Sequence, residues 1–151
     1  LAVSPPWFKP AYEPSKRRLT WPNGVVASTF SAEEPDRLRG PQFAKAWLDE
    51  LAAWERLQET YDMVQFTMRL GARPQQVITT TPRPLKIIRD LLAREGRGVA
   101  ISRGGTRENA ANLAPDFIAH MEGRYAGTRL GRQELDGEIL DDIPGALWTL
   151  E

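Results

Sequence analysis

Cysteine is absent from the 151 residues, which excludes disulfide stapling, thiolate zinc sites and cysteine nucleophiles and leaves the redox compartment open. Histidine is nearly absent too. His120 stands alone in a stretch with helical spacing, and reads as a surface or packing residue rather than a metal ligand. An excess of either charge is missing, with twenty basic residues against twenty acidic ones. A chain built only to coat nucleic acid would be strongly basic, so neutrality argues against that role while leaving room for a localised basic face. No apolar run approaches the roughly 18 residues of a membrane span, and no charged-then-apolar leader opens the chain. The expectation is an intracellular protein that makes no use of a membrane. A glycine-rich phosphate cradle is also lacking. Gly-x-x-x-x-Gly-Lys followed by Ser or Thr needs a lysine after a glycine, and none of Lys9, Lys16, Lys45 and Lys86 follows one. The first residue is Leu1 rather than methionine, which hints at a fragment or a processed product.

What remains is a globular composition, 41% hydrophobic and 26% charged, with length for one ordinary core. Pro5, Pro6, Pro10 and Pro14 precede Lys16-Arg17-Arg18, and predict an extended surface segment over 1–18 with a solvated basic cluster. Leu19–Trp21 and Val25–Phe30 flank Pro22-Asn23-Gly24, the pattern of a β-hairpin. Ser31–Gly40 reads as a polar loop. Phe43–Leu48 is a short, mostly apolar run that ends abruptly at Asp49-Glu50. Trp54, Leu57, Tyr61, Val64 and Met68 then recur at helical steps, closed by Gly71 and Pro74. Gln76–Thr80 reads as a buried strand. Leu85, Ile88, Leu91 and Leu92 supply the face of a helix begun at Pro84, and Val99–Ser102 reads as another strand. The alternation predicts an α/β fold with a mainly parallel sheet. From Gly104 the texture turns helical, with Phe117, Met121 and Tyr125 on one stripe and a second short helix after Thr128. The expected division is a sheet-bearing core, 1–102, and a smaller helical subdomain, 103–151. Trp47, Trp54 and Trp148 read as core or interface anchors.

Chemistry concentrates in three places. Ala46-Trp47-Leu48-Asp49-Glu50 resembles a buried, interior strand that delivers adjacent carboxylates to the carboxyl edge of an open α/β sheet, where ligands bind. In phosphate-cleaving ATPases the aspartate of such a pair holds Mg²⁺, and the glutamate orients the attacking water. An ordinary acidic turn reads the same way, and Lys45 interrupts the apolar run that the motif prefers. Thr79-Thr80-Thr81-Pro82-Arg83-Pro84 ends the next predicted strand, where hydroxyls can sense a γ-phosphate. A β-prone run meeting a proline-primed helix is the plainer reading. Arg37-Leu38-Arg39-Gly40-Pro41 places arginines on a glycine-flanked loop that can reach across a subunit boundary to a phosphate, or simply sit in solvent. Arg103-Gly104-Gly105 with Arg107 reads as a strand-to-helix turn, and Asp141-Asp142 as an acidic turn.

Taken in order, these segments carry a resemblance. Tyr12–Gly24, Phe30-Ser31-Ala32-Glu33, Leu38–Gln42, Trp47–Ala52, Thr79–Pro84, Tyr125–Thr128 and Gly131–Leu135 are similar to successive stretches of phage and gene-transfer-agent terminase large subunits. The resemblance covers nearly the whole chain. It implies part of a P-loop NTPase core of the ASCE type followed by a small helical lid or linker subdomain. The implied activity is ATP-driven translocation of double-stranded DNA into a procapsid. Asp49 would coordinate Mg²⁺, Glu50 would activate water, and Thr79, Thr80 and Thr81 would form the coupling segment that responds to ATP. Arg39, with Arg37 as the fallback, would act on a neighbour's ATP. The resemblance further implies a homo-oligomeric ring at the portal protein, a small terminase subunit as partner, and work in the host cytoplasm. It puts the phosphate-binding Walker A loop upstream of Leu1 and a nuclease domain beyond Glu151, so these residues alone are expected to bind ATP poorly and not to hydrolyse it. A truncated binding or assembly module, and another P-loop ATPase such as a helicase, are the competing readings.

Overall fold

The structure is a computed structural model that describes residues 4–140; Trp148 and Asp141-Asp142 lie outside the described residues. The chain divides into two compact units, one holding residues 4–46 and 54–75 and the other 47–53 and 76–140 of the described chain.

In the first unit, β1 (Ala11–Glu13), β2 (Arg18–Thr20) and β3 (Val26–Ser28) form an antiparallel sheet in sequence order. The hairpin expected around Asn23-Gly24 is β2–β3, with Leu19 opposite Ala27. Gly24, at φ +85°, donates its N–H to the Trp21 carbonyl, and the Asn23 side chain accepts from Val25 N–H. β1 was not expected in so proline-rich a stretch. Pro10 and Pro14 bracket it instead of interrupting it, so residues 11–13 keep the N–H groups that a ladder needs. Glu13 lies opposite Arg18 and pairs at 2.6 Å with both Lys16 and Arg18. Hydrogen bonds from Lys16 first, then Arg18, hold its carboxyl below the usual range. Two of the three basic residues thus share one carboxylate, and Arg17 meets Glu34 at 3.7 Å.

The predicted polar loop contains a 3₁₀ turn, Pro35–Leu38, whose Pro35 and Leu38 are buried and pack on α1 (Leu57–Thr67). Thr60, Val64 and Thr67 form the buried stripe of α1, with Leu57, Tyr61 and Met68 half-buried beside it. The Thr60 hydroxyl satisfies itself on the Ala32 carbonyl at 2.6 Å and that of Thr67 on Val64 at 2.7 Å, which is what allows two polar residues to be buried.

β4 (Lys45–Leu48) pairs with β5 (Gln75–Ile78). The Ala44 carbonyl accepts from Gln75 N–H and the Leu48 carbonyl from Thr79 N–H. That equal sequence offset at both ends makes the pair parallel, with α1 as the crossover element between its strands. The expectation of an interior strand is corrected. Ala46 and Leu48 point inward, whereas Trp47 is 70% exposed and Val77 62% exposed. A two-stranded pair covered on one face obeys period-two alternation rather than continuous burial, so Trp47 is not a core anchor.

In the second unit the buried side chains are Leu48, Leu51, Ala52, Ile87 and Ile88, the last two from α2 (Lys86–Leu92). Val99–Ser102 does not form a strand. Gly96 and Gly98, both at positive φ, turn the chain so that Gly96 N–H meets the Val99 carbonyl, and Val99 makes only an isolated bridge to Glu95. Among the described residues the fold is therefore mixed α/β with one parallel pair, and the mainly parallel sheet is not seen; the larger sheet is antiparallel. Beyond Ser102 come a 3₁₀ segment (Thr106–Asn112), α3 (Pro115–Tyr125) and α4 (Arg129–Glu134). Phe117 is exposed, and Ile118, Met121, Glu122 and Tyr125 line the inward side of α3; both stripes fit helical spacing, and packing selects between them. No described helix is long and apolar enough to cross a membrane.

Thr128 caps α4 by accepting Gly131 N–H at 2.9 Å. A Cβ placed on Gly131 would lie 2.0 Å from the Tyr125 carbonyl oxygen, a backbone atom that cannot swing aside. Gly131→Ala is expected to cost about 3 kcal/mol, read as a lowered denaturation midpoint. An unchanged midpoint would show that α4 does not approach α3 this closely.

Candidate functional site

The site lies within the second unit, at the carboxyl ends of β4 and β5. Leu48 is 2% exposed and Leu51 fully buried. These two anchors grip the chain on either side of Asp49-Glu50 and leave both acids facing solvent. To turn out between them the backbone takes a left-handed conformation at Glu50, φ +51°. For a residue other than glycine that conformation costs on the order of 1 kcal/mol, and such outliers cluster at functional sites. A 3₁₀ turn, Leu51–Ala53, follows, with Ala53 N–H on the Glu50 carbonyl.

Each of the three threonines reaches one part of this acidic turn. The Thr79 hydroxyl donates to Asp49 Oδ1 at 2.6 Å, and the Thr79 carbonyl accepts Leu51 N–H at 3.1 Å. The Thr80 hydroxyl accepts Ala52 N–H at 3.0 Å and donates to the Thr81 carbonyl. Thr81 N–H donates to Glu50 Oε2 at 3.4 Å. The structure thus brings together five of the six candidate residues, Asp49, Glu50, Thr79, Thr80 and Thr81, as one hydrogen-bonded cluster.

Two features of the cluster escaped sequence reasoning. One is the conformation of Glu50, for which the sequence carries no signal. The other is Trp47, whose indole Nε1–H donates to Thr79 Oγ1 at 3.2 Å. Trp47 stands on β4 and Asp49 directly follows it, two residues on and so on the same side of the chain; that signal was available.

Arg39 belongs to the first unit. It follows the Pro35–Leu38 turn, and its exposed guanidinium pairs with Asp36 at 2.8 Å. The hydrogen bond from Arg39 holds the Asp36 carboxyl below the usual range. Arg37 pairs with Glu34 at 3.0 Å. Arg103 and Arg107 are engaged by Glu95 and Glu122, and His120 is exposed on α3.

As a donor set, the Asp49 carboxylate and the Thr79 hydroxyl are hard oxygens. No group of three metal-ligating side chains exists among the described residues. That combination does not make an all-protein cage, but it fits Mg²⁺, which keeps several waters and is commonly held by one or two carboxylates together with substrate phosphates.

In comparison with known proteins, the family model described as terminase large subunit, T4-like virus type, N-terminal, matches residues 2–151. No curated protein matches the chain.

Proposed function

Because the chain belongs to the N-terminal family of T4-like terminase large subunits, and so to viral DNA packaging, we propose that it is part of the ATP-hydrolysing motor that drives double-stranded DNA into a procapsid. One observation carries this reading: the Thr79 hydroxyl on Asp49 and the Thr81 N–H on Glu50 tie the acidic turn to the threonine tip at the carboxyl end of a parallel strand pair.

In this proposal Asp49 holds Mg²⁺, which when bound supplies charge neutralisation on the phosphate oxygens. Glu50, presented to solvent, orients a water and accepts its proton as the water oxygen bonds to the γ-phosphorus and the bond from that phosphorus to the ADP oxygen breaks. Thr79 responds to the nucleotide through Asp49, since its one hydroxyl proton is given to that carboxylate. A change at Asp49 then passes through Thr79 into the extended stretch that leads to α2. Arg39 serves a neighbouring subunit's ATP. In the same reading the parent protein forms a homo-oligomeric ring at the portal, works with the small terminase subunit, and does so in the host cytoplasm. The phosphate cradle comes from sequence outside these residues.

Mg²⁺-dependent ATP hydrolysis by the full-length protein tests the proposal, together with the coding sequence upstream. Turnover and an upstream glycine-rich loop ending in Gly-Lys-Ser or Gly-Lys-Thr are expected. A full-length protein that binds portal or DNA but neither binds nor hydrolyses ATP would instead be an assembly module.

A further inference from the structure

We propose that Trp47 is a positioning residue for this site, its indole N–H fixing the direction of the Thr79 hydroxyl and so holding the carboxylate of Asp49 in place. The inference rests on the ATPase reading and assigns to it a residue outside the acidic pair and the threonine tip.

The argument is one of hydrogen-bond polarity. An indole N–H only donates, and an ionised carboxylate only accepts. The Thr79 hydroxyl stands between them, 3.2 Å from Trp47 Nε1 and 2.6 Å from Asp49 Oδ1. With a donor on one side and an acceptor on the other, its single proton has one place to go. Without the indole, that hydroxyl is free to rotate and present its proton elsewhere, to a phosphate oxygen or to water, and the hydrogen bond from Thr79 to Asp49 is no longer fixed. Hydrophobic burial does not account for the position, because the Trp47 side chain is largely in solvent. The strand geometry does account for it. Trp47 and Asp49 share one side of the chain leaving β4, and Thr79 directly follows β5, which pairs with β4.

The test uses the full-length protein and measures the Mg²⁺ concentration for half-maximal ATP turnover separately from kcat. Trp47→Phe keeps an aromatic ring and removes the donor. It should raise the Mg²⁺ requirement about 3- to 10-fold, the factor for one net hydrogen bond, with a smaller fall in kcat. Thr79→Val should do at least as much, and Thr79→Ser should recover most of what Val loses. The double variant Trp47→Phe/Thr79→Val should be no worse than Thr79→Val alone, since the indole then has no hydroxyl to orient. A wild-type Mg²⁺ requirement in Trp47→Phe overturns the proposal, as do effects that multiply in the double variant. So does a lowered melting temperature with no Mg²⁺ shift, which would make Trp47 merely structural. Failure of the underlying reading is a different result: Glu50→Gln would then hydrolyse ATP normally, whatever Trp47→Phe does.

Discussion

Replacing Glu50 with glutamine in the full-length protein should slow ATP turnover by about 10²- to 10⁴-fold, the range for a lost general base, while leaving ATP binding nearly intact. The substitution is well matched to the geometry. Glutamine keeps a side-chain oxygen that can accept Thr81 N–H, as Glu50 Oε2 does at 3.4 Å. It meets the same left-handed backbone, φ +51°, with a side chain of the same shape. Folding and the threonine contacts should therefore survive, and only the proton acceptor is lost. Single-turnover hydrolysis and equilibrium nucleotide binding, measured on the same sample, separate the two. Wild-type turnover would remove Glu50 from the chemistry and leave the acidic turn as a surface feature. Glu50→Gly sharpens the point, because glycine adopts positive φ without the penalty that other residues meet. It should hold or raise the melting temperature while abolishing turnover, the pattern of a residue retained against its backbone preference.

The elements that the sequence made legible are those whose signals are local. The β2–β3 hairpin follows from Asn23-Gly24 between two β-prone runs, and α1 from the recurrence of Leu57, Tyr61 and Val64. The acidic pair and the threonine run were legible as candidates because each ends an apolar segment. Their meeting was not, since the Thr79–Asp49 bond joins the residues that directly follow two different strands, and periodicity along one strand says nothing about register against another. Errors arose where a short run fits two states. Val99–Ser102 has strand composition, yet the turn through Gly96 and Gly98 brings Gly96 N–H onto the Val99 carbonyl, a local bond in place of a ladder. Trp47 and Val77 read as interior from hydrophobicity alone, but a strand pair with one covered face leaves alternate apolar residues in solvent. Pro10 and Pro14 obscured β1 because proline density, rather than the exact positions of the prolines, drove the expectation.

The remaining large effect concerns Arg39, and it should be recoverable in trans. Buried Pro35 and Leu38 fix the turn that leads into Arg39, and Gly40 at φ +102° redirects the chain immediately after it. The root of the side chain is thus held while its guanidinium stays in solvent, paired with Asp36. An exposed pair of this kind is readily exchanged, and a phosphate offers the guanidinium fork a bidentate partner of higher charge. Arg39→Ala should therefore lower turnover by about 10³-fold or more, the scale of a lost arginine finger. Lysine should not restore it, because an ammonium lacks the fork. Rings assembled from Arg39→Ala and Glu50→Gln chains would contain interfaces where an intact Glu50 of one chain faces an intact Arg39 of its neighbour. Hydrolysis should reappear in the mixture although neither variant alone sustains it. If no mixing ratio restores turnover, Arg39 does not act across the interface. If Arg37→Ala behaves this way in its place, the role passes to Arg37, whose pairing with Glu34 is equally exposed.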